Sequence, residues 1–159
     1  MGDYVRNYAP ALRYVVPELH HRPARAMEQV LAVCEGVAPA DLTFVGSSLG
    51  GFYATVAAER LGCRAALLNP AVHPHAHFGR YLGPQKNLYT GEEFVLTPGH
   101  VEELRAMDPP AITRPDGCAL AHYLNRPIRL RALTPVRVTA PLAWAARTSN
   151  TVLSLAQSR

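Results

Sequence analysis

The stretch Thr43-Phe44-Val45-Gly46-Ser47-Ser48-Leu49-Gly50-Gly51 decides how this 159-residue chain is read. It holds a Gly-x-Ser-x-Gly pentapeptide, Gly46 to Gly50, with Ser48 at its centre. Before it, Leu42-Thr43-Phe44-Val45 is a short apolar, β-favouring run of the kind found in buried parallel strands. After it, Leu49, Tyr53, Val56, Ala57 and Leu61 recur at helical spacing, and Gly62 suits the C′ position that ends a helix. Strand, sharp turn and helix are the setting in which this pentapeptide is a nucleophile elbow. Gly46 and Gly50 are expected to leave room where side chains would clash, and Gly51 continues the small-residue run. The chemistry implied is acyl transfer, with Ser48 attacking and the Leu49 N–H at the helix start facing the developing oxyanion. A serine hydroxyl also needs a base, so the remaining sequence has to be searched for one.

The elements on either side extend the pattern. Arg13-Tyr14-Val15-Val16 reads as a strand stopped by Pro17. Pro23 suits a first helical position, and Met27, Val30, Leu31 and Cys34 follow at helical spacing, predicting a helix over about 23–36. Arg64-Ala65-Ala66-Leu67-Leu68-Asn69-Pro70 is a further short strand. The order β-α-β-α-β with short connections predicts an α/β fold with a parallel sheet. Residues 71–96 read as loop-rich. Thr97-Pro98 then caps a helix with Val101, Leu104 and Met107 inward, ended by Asp108-Pro109-Pro110.

Composition bounds the function. An apolar fraction of 48% fits a globular protein of one domain, and no run is long and apolar enough for a membrane span. The start, Met1 to Arg6, has no apolar signal core, so a cytoplasmic location is expected. Cys34, Cys63 and Cys118 are odd in number and widely spaced, which reads as buried or free thiols. The charge is uneven. Residues 1–116 carry 10 basic and 12 acidic groups, whereas residues 117–159 carry six arginines and no acid.

Seven histidines are candidates for the base. His20 and His21 lie in a loop before Pro23. His73, His75 and His77 alternate, which would place two imidazoles on one side for a metal. No carboxylate or cysteine follows at a supporting spacing, so a solvated loop and no metal are expected. His100 falls in the first turn of its helix, where a helix-start or structural role is expected. Asp108 reads as a helix stop, which leaves Ser48, Asp116 and His122 to imitate the Ser-Asp-His order of this fold class, and a spacing of six residues between the last two is too short for the intervening elements.

With the elbow, Leu68-Asn69-Pro70-Ala71-Val72 and the run Tyr81-Leu82-Gly83 to Asn87-Leu88-Tyr89-Thr90-Gly91-Glu92-Glu93-Phe94-Val95-Leu96, the chain resembles the YqiA-like esterases over about residues 13–116. The resemblance implies a three-layer α/β-hydrolase fold and a serine esterase acting on short-chain carboxylic esters. It implies Ser48 as nucleophile, the Leu49 N–H in the oxyanion hole, a small-molecule ester as partner, and neither cofactor nor metal. Family members also begin with a strand and a His-Gly-Phe loop, and carry later Gly-Asp-Glu and Gly-Gly-x-His stretches with the triad acid and base. This chain has none of these. The expectation is a partial hydrolase fold, incomplete at both ends, with residues 1–116 as its core and with weak activity or none. Residues 117–159 are expected to be a non-homologous basic tail, read out of frame or disordered, without a convincing apolar face. Without the strand of the His-Gly-Phe segment, Thr43-Phe44-Val45 is expected to lack a ladder partner and the domain to be marginally stable. Other readings are a non-catalytic remnant or binding module and, ranked lower, a basic nucleic-acid binder. No nucleic-acid or membrane partner is expected. The oligomeric state is left open.

Overall fold

The computed structural model describes residues 6–87 and 91–113, together with the backbone of two further strands, Cys118–Ala121 and Thr151–Ala156. In chain order the elements are β1 (Arg13–Val15), α1 (Pro23–Val33), β2 (Leu42–Ser48), α2 (Leu49–Leu61), β3 (Arg64–Pro70), α3 (His75–Phe78), β4 (Gly83–Lys86), β5 (Glu93–Leu96), α4 (Pro98–Met107), β6 (Cys118–Ala121) and β7 (Thr151–Ala156). The chain is mixed α/β. A five-stranded parallel sheet runs in the order β1-β7-β2-β3-β6, and β4 and β5 form a separate antiparallel hairpin.

The sheet's middle strand is β2, and its composition explains the position. Leu42 to Gly46 are all buried, as an interior parallel strand requires. Alternation divides the two faces. Leu42, Phe44, Ala65 and Leu67 join the main core with α1, α2 and α4, while Val45 and Ala66 form a smaller cluster with Leu12, Tyr14 and Leu68. Helix α2 is buried nearly all round, from Leu49 through Ala58, because it lies against the sheet on one side and α1 on another. The described helices whose side chains join a core all do so on the Phe44 side. The second helical layer of the expected three-layer arrangement therefore lies outside what the described residues show.

Most element boundaries follow local chemistry. Pro23 opens α1, which ends at Val33, short of the expected 36, because the chain turns over Cys34–Gly36. Gly62 closes α2 in the left-handed conformation, φ 71° and ψ 29°, where a side chain would be strained. The strand over Arg64–Pro70 and the helix over Pro98–Met107 lie where their residues predict. The segment read as loop-rich contains more order than expected: α3 and the β4–β5 hairpin.

One expectation is corrected. Strand β2 does not lack a ladder partner on the side away from β3. Strand β7 fills that place, with Leu42 opposite Thr151 and Ser47 opposite Ala156, and pairs with β1 on its other side. The physical reason is that Thr151-Val152-Leu153-Ser154-Leu155-Ala156 is itself a β-favouring run, long enough to match β2 along its length. Its pairing satisfies backbone groups that would otherwise be buried without partners, at a cost of about 1–3 kcal/mol each.

Candidate active site

The site begins where β2 leaves the ladder. The register between β2 and β3 shifts between Ser47 and Ser48, so that Ser48 lies opposite Pro70. Ser48 has φ 52° and ψ −122°, a conformation that L-residues rarely adopt, and Leu49 starts α2 immediately after it. The turn is held by close backbone approach. A Cβ on Gly46 would lie 2.2 Å from the Gly50 carbonyl oxygen, and one on Gly51 would lie 2.7 Å from Pro70 Cβ. The Ala71 N–H donates to the Ser48 carbonyl at 2.8 Å and ties the end of β3 to the turn. Gly46 has no room for a side chain, as its place in the pentapeptide predicts. Gly51 has none either, and the backbone that Gly46 approaches is that of Gly50.

Ser48 is half-buried and, with Leu49, lines a cleft of about 580 Å³. Leu19, Tyr53, Phe78, Phe94 and Leu96 form its apolar wall, and Gln85, Asn87 and Glu92 contribute polar groups from the hairpin. An apolar cavity with a few converging polar groups has the form of a small-molecule site.

Two histidines also line this cleft, His21 and His100. His100 is 2% exposed. The Thr97 N–H donates to its Nδ1 at 3.1 Å, and Thr97 Oγ1 lies 2.9 Å from the same nitrogen. This is the helix-start role expected for His100, but its other nitrogen reaches further. His100 Nε2 lies 3.2 Å from His21 Nδ1. The His21 ring stacks on Phe94, with centroids 4.7 Å apart and planes 15° apart, and its centroid lies 4.3 Å from that of the His20 ring. Burial, followed by the neighbouring charge of His20, lowers the His21 pKa below 6.5. Burial, followed by Arg22, does the same for His100. This pairing was missed in the sequence because the partners are 79 residues apart and meet only when α4 docks beside the start of α1. That docking has its own clasp: Glu103 pairs with Arg22 and accepts the Ala24 N–H at 3.1 Å. Burial pushes the Glu103 carboxyl up, but the Ala24 bond and Arg22 outweigh it and hold the pKa below 4.5.

The remaining candidates lie elsewhere. His73 Nδ1 is 2.7 Å from Asp108 Oδ2, and His75 Nδ1 approaches the same oxygen at 3.2 Å without hydrogen-bond geometry. Asp108 is the residue at which α4 stops, as expected. None of the three lines the cleft of Ser48. His77 is exposed. Among the described residues, no group of three or more His, Cys, Asp or Glu is placed to hold a metal. Asp116, His122 and the six tail arginines fall outside the residues whose side chains are described. Cys34 and Cys63 are buried, and burial raises the Cys34 thiol to about 11. Among the described residues no helix is long and apolar enough to cross a membrane.

The likeness to a known family extends beyond residues 13–116, to Met1 at one end and Asn125 at the other. The chain belongs to the Uncharacterised protein family (UPF0227), whose family model matches residues 1–125 and which corresponds to the YqiA-like esterase proteins.

Proposed function

We propose that this chain is built as a serine hydrolase of the α/β-hydrolase type, acting on short-chain carboxylic esters through an acyl-enzyme. The observation that carries this reading is Ser48 at φ 52° at the junction of β2 and α2, lining an apolar cleft. A serine held in a sparsely populated conformation at a strand-to-helix turn has its hydroxyl presented rather than packed. In the reaction Ser48 Oγ attacks the ester carbonyl, and its proton passes to a base. The tetrahedral oxyanion meets the Leu49 N–H, whose place at the first turn of α2 leaves it without an intrahelical partner. The alkoxide leaves as alcohol, and water hydrolyses the acyl-serine. The aliphatic and aromatic wall suits a short acyl chain.

A specific observation favours a second reading, a non-catalytic binding module. Asp108 contacts His73 and His75, and none of the three lines the cleft that Ser48 lines. A fluorophosphonate probe separates the two. Labelling at Ser48 that is lost in Ser48→Ala supports the esterase, with p-nitrophenyl butyrate hydrolysis as the companion assay. Folded protein that takes no label supports the binding module.

A further inference from the structure

The direction of the hydrogen bonds behind the cleft is fixed by one atom that has no choice. The Thr97 backbone N–H can only donate, and it donates to His100 Nδ1. That nitrogen therefore carries a lone pair, which also suits the Thr97 hydroxyl at 2.9 Å. A neutral His100 then has its proton on Nε2. The 3.2 Å contact from His100 Nε2 to His21 Nδ1 runs in the same sense, His100 donating and His21 accepting. A neutral His21 in turn keeps its proton on Nε2, the nitrogen that this contact leaves open. Stacking on Phe94 holds the His21 ring in the wall of the cleft.

We propose that Thr97, His100 and His21 form a one-way hydrogen-bond relay that makes His21 a neutral N–H donor of the cleft, serving a carbonyl or carboxylate oxygen of the ligand rather than acting as a base toward Ser48. The class of ligand rests on the esterase reading; the relay itself does not. Abstracting the Ser48 proton would need a lone pair on His21 Nε2, and hence a proton on His21 Nδ1 and a reversed contact to His100. The Thr97 N–H opposes that reversal. Neutrality fits the surroundings. Burial, His20, Arg22 and Arg25 disfavour a charge on His21 and Glu92 favours it, while burial, Arg22 and His21 disfavour a charge on His100 and outweigh Glu103 and the Thr97 backbone, which favour it. A neutral donor hydrogen-bonds an ester oxygen without holding the carboxylate product as tightly as a cation would.

The test uses the full chain as Ser48→Ala, so that no reaction intervenes, with sodium butyrate as probe and side-chain 15N NMR at about pH 7.5. The expected result is that His21 and His100 are both neutral with protons on Nε2, and that butyrate shifts the His21 Nε2 resonance. His21→Phe keeps a ring against Phe94 and removes the donor; it should weaken butyrate binding by about fivefold. A His21 proton on Nδ1, a charged His21, no butyrate shift at His21, or unchanged affinity in His21→Phe each overturns the proposal. The tautomer is read without any substitution in the relay, so poor folding of His21→Phe leaves the test standing. Failure of the esterase reading is seen separately, as no fluorophosphonate labelling of the protein with Ser48 intact.

Discussion

At Ser48 the backbone sits in a sparsely populated conformation, and strain there can be measured by removing it. Glycine adopts φ 52°, ψ −122° freely, so Ser48→Gly should raise stability by about 1 kcal/mol while abolishing fluorophosphonate labelling. Denaturant melts check the sign; a loss of stability would mean that the serine is not strained. The opposite holds two residues earlier. A methyl at Gly46 would meet the Gly50 carbonyl oxygen at 2.2 Å, and backbone cannot yield cheaply, so Gly46→Ala should cost about 3 kcal/mol or prevent folding. Tyr53 offers a third measurement. Its hydroxyl is buried with no hydrogen-bond partner among the described residues, and burial raises its pKa far above the usual range. Tyr53→Phe removes an unsatisfied polar group from the core and should stabilise the protein by about 1 kcal/mol in the same melts. The elbow was legible in the sequence because its logic is local. Five consecutive residues state a strand end, a turn and a helix start, and the glycine contacts follow from covalent connection. The Tyr53 orphan was not, because a helical spacing that reads as core says nothing about where the ring's far end lies.

At the scale of elements, α4 completes the cleft by docking beside the start of α1. Its own boundaries were legible from Thr97-Pro98 and Asp108-Pro109, since capping chemistry lies within a few residues. Its partners were not, because Arg22 with Glu103 and His21 with His100 are set by docking rather than by spacing. The Glu103 clasp predicts a pH dependence. Its folded pKa lies below 4.5, so the unfolded chain binds more protons as the solution is acidified. The stability it contributes is present in full above about pH 4.5 and is lost as pH falls through the lowered value. The two cleft histidines act earlier on the same titration. Their folded pKa values lie below 6.5, so their contribution is present above about pH 6.5 and lost as pH falls from there toward the lowered values. Thermal melts between about pH 7.5 and 3 should therefore decline in two stages. Glu103→Gln should remove the lower stage and His100→Gln should shrink the upper one. A profile flat between pH 7 and 5 would show that these histidines titrate alike in the folded and unfolded chain.

For the whole molecule the decisive feature is the order β1-β7-β2-β3-β6. A strand from residues 151–156 lies between strands that begin at residues 13 and 42, so the sheet closes only when distant parts of the chain meet. No reading of local pattern could place it. A β-favouring run of six residues fits an edge, an interior or no sheet at all until its partners are known. Once placed, it changes what the middle strand needs. Leu153 lies opposite Val15 on one side and Phe44 on the other, so both edges of β7 are committed. Proline at that position removes an N–H from an interior ladder and cannot be accommodated without a bulge. Leu153→Pro, and separately deletion of residues 151–159, should therefore expose the β2 edge, speed amide exchange across Thr43–Gly46 to the rate of open chain, and turn a single unfolding transition into a broad one with aggregation. Leu153→Val keeps the strand chemistry and should leave amide exchange slow. If exchange at Phe44 and Val45 stays slow in the truncated chain, β7 does not hold the sheet together and its place between β1 and β2 is wrong. If it becomes fast, the sheet that carries Ser48 depends on a segment more than a hundred residues away, and the elbow keeps its shape only while that segment is in place.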